Sequence, residues 1–134
     1  MPSDPVDRLG AALLTIARNA IAHHFGLPTR PPGELPELAE PAATFVTLTR
    51  NGQLRGCIGS LEAHRPLLLD VGENALAAAF RDHRFAPLTA DEFATTRVEV
   101  SLLTPPEPFP VADEADAIAR LRPGVDGLVL GYRQ

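Results

Sequence analysis

Apolar residues recur at helical spacing near the start of the chain, where Val6, Leu9, Leu13, Ile16, Ala17, Ala20 and Ile21 form one stripe that runs until Gly26. Ser3 or Asp4 can cap it and Pro5 suits its first turn, so a first helix is predicted here. From Leu27 to Pro41 five prolines fix φ and remove amide donors, which predicts an extended surface crossing. Thr44 to Arg50 is rich in β-branched residues, Asn51-Gly52 suits a tight turn, and Gln53 to Ser60 returns, which predicts a β-hairpin.

Pro66 opens a second helix to about Asp82, with Leu67, Leu68, Val71, Leu76, Ala79 and Phe80 buried. Thr89 and Glu92 have capping-box spacing before a half-buried strand, Thr95 to Thr104, where Val98, Val100 and Leu102 alternate with Arg97, Glu99 and Ser101. A helix over Ala112 to Leu121 and a strand over Val125 to Tyr132 complete the pattern. The element order predicts an α+β domain with an antiparallel or mixed sheet and flanking helices.

A chain of 134 residues with 45% hydrophobic content is one domain with one core, and needs no disulfide or structural metal to fold. The lone Cys57 and the absence of a CxxC pair fit a cytoplasmic protein without a metal site. No signal peptide or membrane span is expected, because charged residues interrupt the first apolar run. A net charge of −5 and only seven aromatic residues argue against nucleic acid as a partner. All twelve cationic side chains are arginine, which excludes lysine chemistry. Nucleotide P-loop, GxGxxG, GxSxG and HExxH motifs are absent, and no cofactor is identified.

The most informative stretch is Leu54-Arg55-Gly56-Cys57-Ile58-Gly59. Regular alternation would put Arg55, Cys57 and Gly59 on one face, with Arg55 opposite Leu48 and Cys57 opposite Val46. Two readings of Cys57 stand side by side. It is a small buried hydrophobe, or its thiolate is favoured by Arg55 while Gly56 and Gly59 leave room for a ligand. Glycines also mark bulges and bends without any ligand. A nucleophilic Cys57 would need a base, and His64 and His83 are the candidates. Glu62, Asp82 and Glu99 are candidate partners for Arg55, the alternative being that each is solvated surface charge. Arg81-Asp82-His83-Arg84-Phe85 closes a helix with cations, where the helix dipole favours them. His23 and His24 point about 100° apart on a helix, so they are not expected to share a metal.

The run Asn51 to Glu62, NGQLRGCIGSLE, resembles the signature of the AMMECR-type domain family, also called AmmeMemoRadiSam system protein A. The similarity continues through Asn74-Ala75, Ala78 to Leu88 and Val98 to Pro106, nearly the whole chain. This resemblance implies two related strand-and-helix repeats around a barrel-like sheet, and partnership with a Memo-type protein and a radical S-adenosylmethionine protein. It points to Arg55, Gly56, Cys57 and Gly59 as the functional centre, with no settled activity. His83 stands where the family has proline, which ranks it below Cys57 and Arg55. The family pattern also continues past the last strand, so residues 1–134 are expected to be one such domain lacking its C-terminal segment. The surface on which that segment docks would then be exposed or covered by a partner chain.

Three functions follow as expectations. The first is an accessory protein binding a small anionic ligand or peptide at a pocket of Arg55, Gly56 and Gly59, with Glu62, Asp82 and Glu99 around it. The second is an enzyme using Cys57 as nucleophile or redox thiol, and the third is a scaffold for protein partners.

Overall fold

The computed structural model describes residues 5–103 and 129–133. Its elements are α1 (Pro5–His24), a single 3-10 turn (Pro36–Ala39), β1 (Ala43–Arg50), β2 (Gln53–Gly59), α2 (Leu67–Phe80), α3 (Ala90–Phe93), β3 (Thr96–Leu103) and β4 (Val129–Arg133). The helix expected over 112–121 and the Ser3 and Asp4 caps lie outside the described residues, as does the first part of the last predicted strand.

The first helix ends as the sequence predicts. Gly26 takes a φ of +71°, and the Gly26 and Leu27 amides donate to the carbonyls of His23 and Ala22, closing the helix with a Schellman-type pair. At the hairpin tip Asn51 and Gly52 both adopt positive φ, 53° and 77°, as a primed two-residue turn requires.

The strands pair in the order β2-β1-β3-β4, all antiparallel. The sheet is open, not the barrel that the resemblance implied, since β2 and β4 form its two edges among the described residues. Val46, Leu48, Val98 and Val100 are fully buried on one face, where they join Leu13, Ala17 and Ile21 of α1 and Val71, Ala75 and Ala78 of α2 in one core. Apolar burial on this face stabilises the fold at about 25 cal/mol per Å² removed from water.

Two expectations about α2 are corrected. The helix stops at Phe80 and not at about Asp82, because the Asp82 carboxylate leaves the helix to bind the β2 backbone. Leu68 is 42% exposed, whereas Asp70 is fully buried, so a carboxylate occupies the stripe that Leu68 was expected to share.

Candidate functional site

The hairpin register differs from the regular alternation expected of it. Leu54 pairs with Thr49 and Gly56 with Leu48, so Arg55 is an extra residue in β2 and the register shifts there. Cys57 consequently lies opposite Thr47, not Val46, and Arg55 is not opposite Leu48. Because Thr47 alternates with the buried Val46 and Leu48, Cys57 belongs to the sheet face opposite α1 and α2.

The bulge sends Arg55 away from Cys57 and toward α3. Its Nη2 donates to Glu92 Oε1 at 2.9 Å and to the Ala86 carbonyl at 2.8 Å, and its Nε donates to Glu92 Oε2 at 3.2 Å. The partner of Arg55 is therefore Glu92, not Glu62, Asp82 or Glu99. The Arg55 side chain is only 12% exposed, and its guanidinium lies 5.8 Å from the Phe85 ring. Glu92 also closes the predicted capping box with Thr89 and receives Arg50 Nη1 at 3.3 Å. Its place in the capping box was legible, but its capture of two arginines depends on the fold.

The two signature glycines are filled from inside the protein. A Cβ on Gly56 would lie 3.0 Å from the Ala78 carbonyl carbon and closer still to its oxygen, so α2 crosses directly over β2 here. A Cβ on Gly59 would run into the Phe45 ring. Both close approaches are protein packing, so the space a Cβ would take at either glycine is filled by this chain.

What surrounds Cys57 is a different set of groups. The Cys57 amide, on the free edge of β2, donates to Asp82 Oδ2 at 3.0 Å, and the thiol lies 3.1 Å from Thr47 Oγ1. Arg84 grips the same carboxylate through Nε at 3.0 Å and Nη2 at 2.8 Å, and its amide donates to Asp82 Oδ1. Arg84 holds Asp82 well below the usual carboxylate range, while Asp82, with a smaller contribution from nearby Cys57, raises the Arg84 guanidinium. By sequence alone Arg84 reads as a helix-end charge. The spacing Asp82-x-Arg84 was the available signal, since a carboxylate accepting from the amide and side chain two residues on forms a tight local turn.

The sheet extends this corner into a polar row. Cys57, Thr47, Glu99 and Arg133 are successive cross-strand neighbours on β2, β1, β3 and β4. Glu99 pairs with Arg133 at 3.6 Å. Glu62 is exposed and offers its backbone carbonyl to His64 Nδ1 at 3.0 Å. His64 and His83 are both exposed, and the hydrogen-bond partner of the Cys57 thiol is Thr47 rather than either histidine. His24 stacks on Phe80 with ring centroids 4.0 Å apart. Among the described residues, no group of three or more His, Cys, Asp or Glu is arranged to hold a metal. Likewise no described helix is long and apolar enough to cross a membrane.

These carboxylates set an acid response. Arg55, with the Thr89 amide, lowers Glu92 from 4.5 to about 2. A carboxyl with a depressed folded-state pKa stabilises the fold above its unfolded value, and that stability is lost as pH falls through the folded value. Unfolding free energy is therefore expected to decline between about 4.5 and about 2. Asp82 acts with the same sign, from its ordinary value of 3.8 downward, and so adds to the decline within this range and below it. Urea titrations across this range check the slope, and Glu92→Gln should flatten it. An unchanged slope in that variant would mean that Glu92 is not the titrating group.

Comparisons with known proteins agree with the fold. The AMMECR1 family profile matches residues 14–134. A Methanothermobacter thermautotrophicus protein is 44% identical over 124 residues, covering 90% of this chain and 65% of its own length. A Saccharolobus solfataricus protein is 38% identical over 130 residues, covering 92% of this chain and 57% of its own. The chain thus spans less than two thirds of the length of these curated relatives. Among solved structures, protein PH0010 of Pyrococcus horikoshii is similar with a TM-score of 0.62 and 36% identity, covering 78% of this chain and 56% of that one.

Proposed function

The chain belongs to the AMMECR1 family, and from that premise we propose that it is an accessory binding protein whose site is the Cys57, Asp82 and Arg84 corner. The ligand is a small anion or a carboxylate-bearing peptide segment. One observation carries this reading: Arg84 is anchored on Asp82 through two nitrogens, yet its side chain is 58% exposed beside a half-buried thiol. An anchored guanidinium loses little conformational freedom when it binds an anion. Arg55, committed to Glu92 and Ala86, has no comparable exposure and holds the loop that supports Arg84. Accessory binding is favoured over catalysis because a nucleophile needs a base, and the group hydrogen-bonded to the thiol is a neutral hydroxyl. A Memo-type protein and a radical S-adenosylmethionine protein are proposed as partners, and co-purification tests them.

The thiol itself reports on the anion site. Iodoacetate and iodoacetamide both attack the thiolate, so the ratio of their rates cancels the thiolate population and reads the local charge. Arg84→Gln is expected to lower the iodoacetate-to-iodoacetamide ratio at Cys57 roughly threefold to tenfold, the size of an exposed charge interaction near 1 kcal/mol. Intact mass against time supplies both rates. An unchanged ratio would remove Arg84 as the anion acceptor and this reading with it.

A further inference from the structure

A cavity of about 630 Å³ lies between α1 and the start of the proline-rich crossing, and no residue of the Cys57 corner lines it. Ligand pockets commonly enclose about 300–1,000 Å³. Its apolar walls come from Leu14 and Ala22 of α1, Leu27 and Pro28 of the crossing, and Phe93 of α3. One wall is strapped in place, because Asn19 of α1 accepts from the Arg30 amide at 3.0 Å and donates back to the Arg30 carbonyl. A single asparagine thus makes paired hydrogen bonds to one backbone unit and fixes the mouth.

The charge of this cavity is opposite to that of the protein. The chain carries a net charge of −5, yet the charged residues lining the cavity are Arg18 and Arg30, with no acidic residue among them. Arg18 is turned to the protein, donating to the carbonyls of Thr96 at 3.0 Å and Phe93 at 3.3 Å while its guanidinium covers the Phe93 ring at 4.4 Å. Arg30 is exposed at the rim, and its side chain makes no ion pair among the described residues. An apolar hollow with a cationic rim selects a molecule that is apolar at one end and anionic at the other.

We propose that this cavity binds an amphiphilic monoanion, an aliphatic or aromatic carboxylate whose body lies between Leu14, Leu27 and Phe93 and whose carboxylate pairs with Arg30. This site is independent of the Cys57 corner, so either can fail without the other. The probe is octanoate, compared with its neutral counterpart octanamide, in calorimetric titrations of the intact chain. Octanoate is expected to bind about tenfold more tightly than octanamide, as a charge-assisted pair worth one decade would give. Arg30→Gln should abolish that preference while leaving octanamide binding unchanged. Ala11 is exposed at the cavity lining, so Ala11→Phe blocks the mouth without disturbing the core and should abolish binding of both probes. Equal binding of the two probes, a preference that survives Arg30→Gln, binding that survives Ala11→Phe, or no binding of octanoate at millimolar concentration would each overturn the proposal.

Discussion

Asp70→Ala is expected to lower the unfolding free energy by about 3–5 kcal/mol, a large part of the roughly 5–15 kcal/mol that holds a domain of this size. Asp70 is fully buried in α2, and its two oxygens accept five hydrogen bonds. Oδ2 receives the Thr44 amide at 2.8 Å, the Thr44 hydroxyl at 2.8 Å and Asn74 Nδ2 at 3.1 Å. Oδ1 receives Ser60 Oγ at 2.6 Å and Arg65 Nε at 2.8 Å. One carboxylate thus ties α2 to the start of β1 and to the end of β2. Alanine would leave these donors facing a void, each at a desolvation cost of about 1–3 kcal/mol unless water enters. Arg65 is 29% exposed and can turn to solvent, and Asn74 keeps the Thr44 carbonyl as an acceptor at 3.0 Å, so most of the loss falls on Thr44 and Ser60. Asp70→Asn keeps the shape but should recover little. Its amide nitrogen must face either the Thr44 N–H or the Arg65 N–H, donor against donor. Urea unfolding of both variants measures the effect. An asparagine variant within about 0.5 kcal/mol of wild type would show that the network tolerates a lost acceptor.

This network also marks where the sequence stopped being legible. Local rules recovered α1, the Asn51-Gly52 turn, both hairpin strands, the Thr89 capping box and the alternation of β3, because each depends on neighbours within a few residues. Asp70 and Asn74 sit at i and i+4 in the stripe of Leu67, Val71, Ala75 and Ala78, and a polar pair on a buried face is a local signal of such a network. Arg55 shows the harder case. Its place in a conspicuous motif suggested a ligand site beside Cys57, but one extra residue in β2 turned it toward Glu92, 37 positions away in sequence. A bulge has no firm signature in the chain, and a one-residue slip moves every side chain after it to the other face. Arg84 was hidden for the opposite reason. Its partner Asp82 was so close in sequence that the pair resembled a helix end, when in fact the helix stops to free the carboxylate for Cys57.

Gly56→Ala is expected to destabilise the fold by about 3 kcal/mol, at the upper end for overpacking a core. The new methyl would meet the Ala78 carbonyl, and the three nearest atoms all belong to the α2 backbone, so no side chain can rotate to make room. Relief requires α2 to lift from β2, which would separate Ala75 and Ala78 from the buried Leu48 and Val46. Gly59→Ala should cost less, because the obstacle there is the half-buried Phe45 ring, which can swing. The comparison separates two meanings of a glycine in a signature. If Gly56 served a ligand, alanine would spare stability and weaken binding alone. If it serves the crossing of α2 over β2, alanine lowers stability first. Any loss at Cys57 would then follow from displacement of the strand. Ala78→Gly offers the sharper check, since it removes a methyl but leaves the offending carbonyl in place. It should therefore fail to rescue Gly56→Ala, and a double variant restored to wild-type stability would show that the conflict lies between side chains after all.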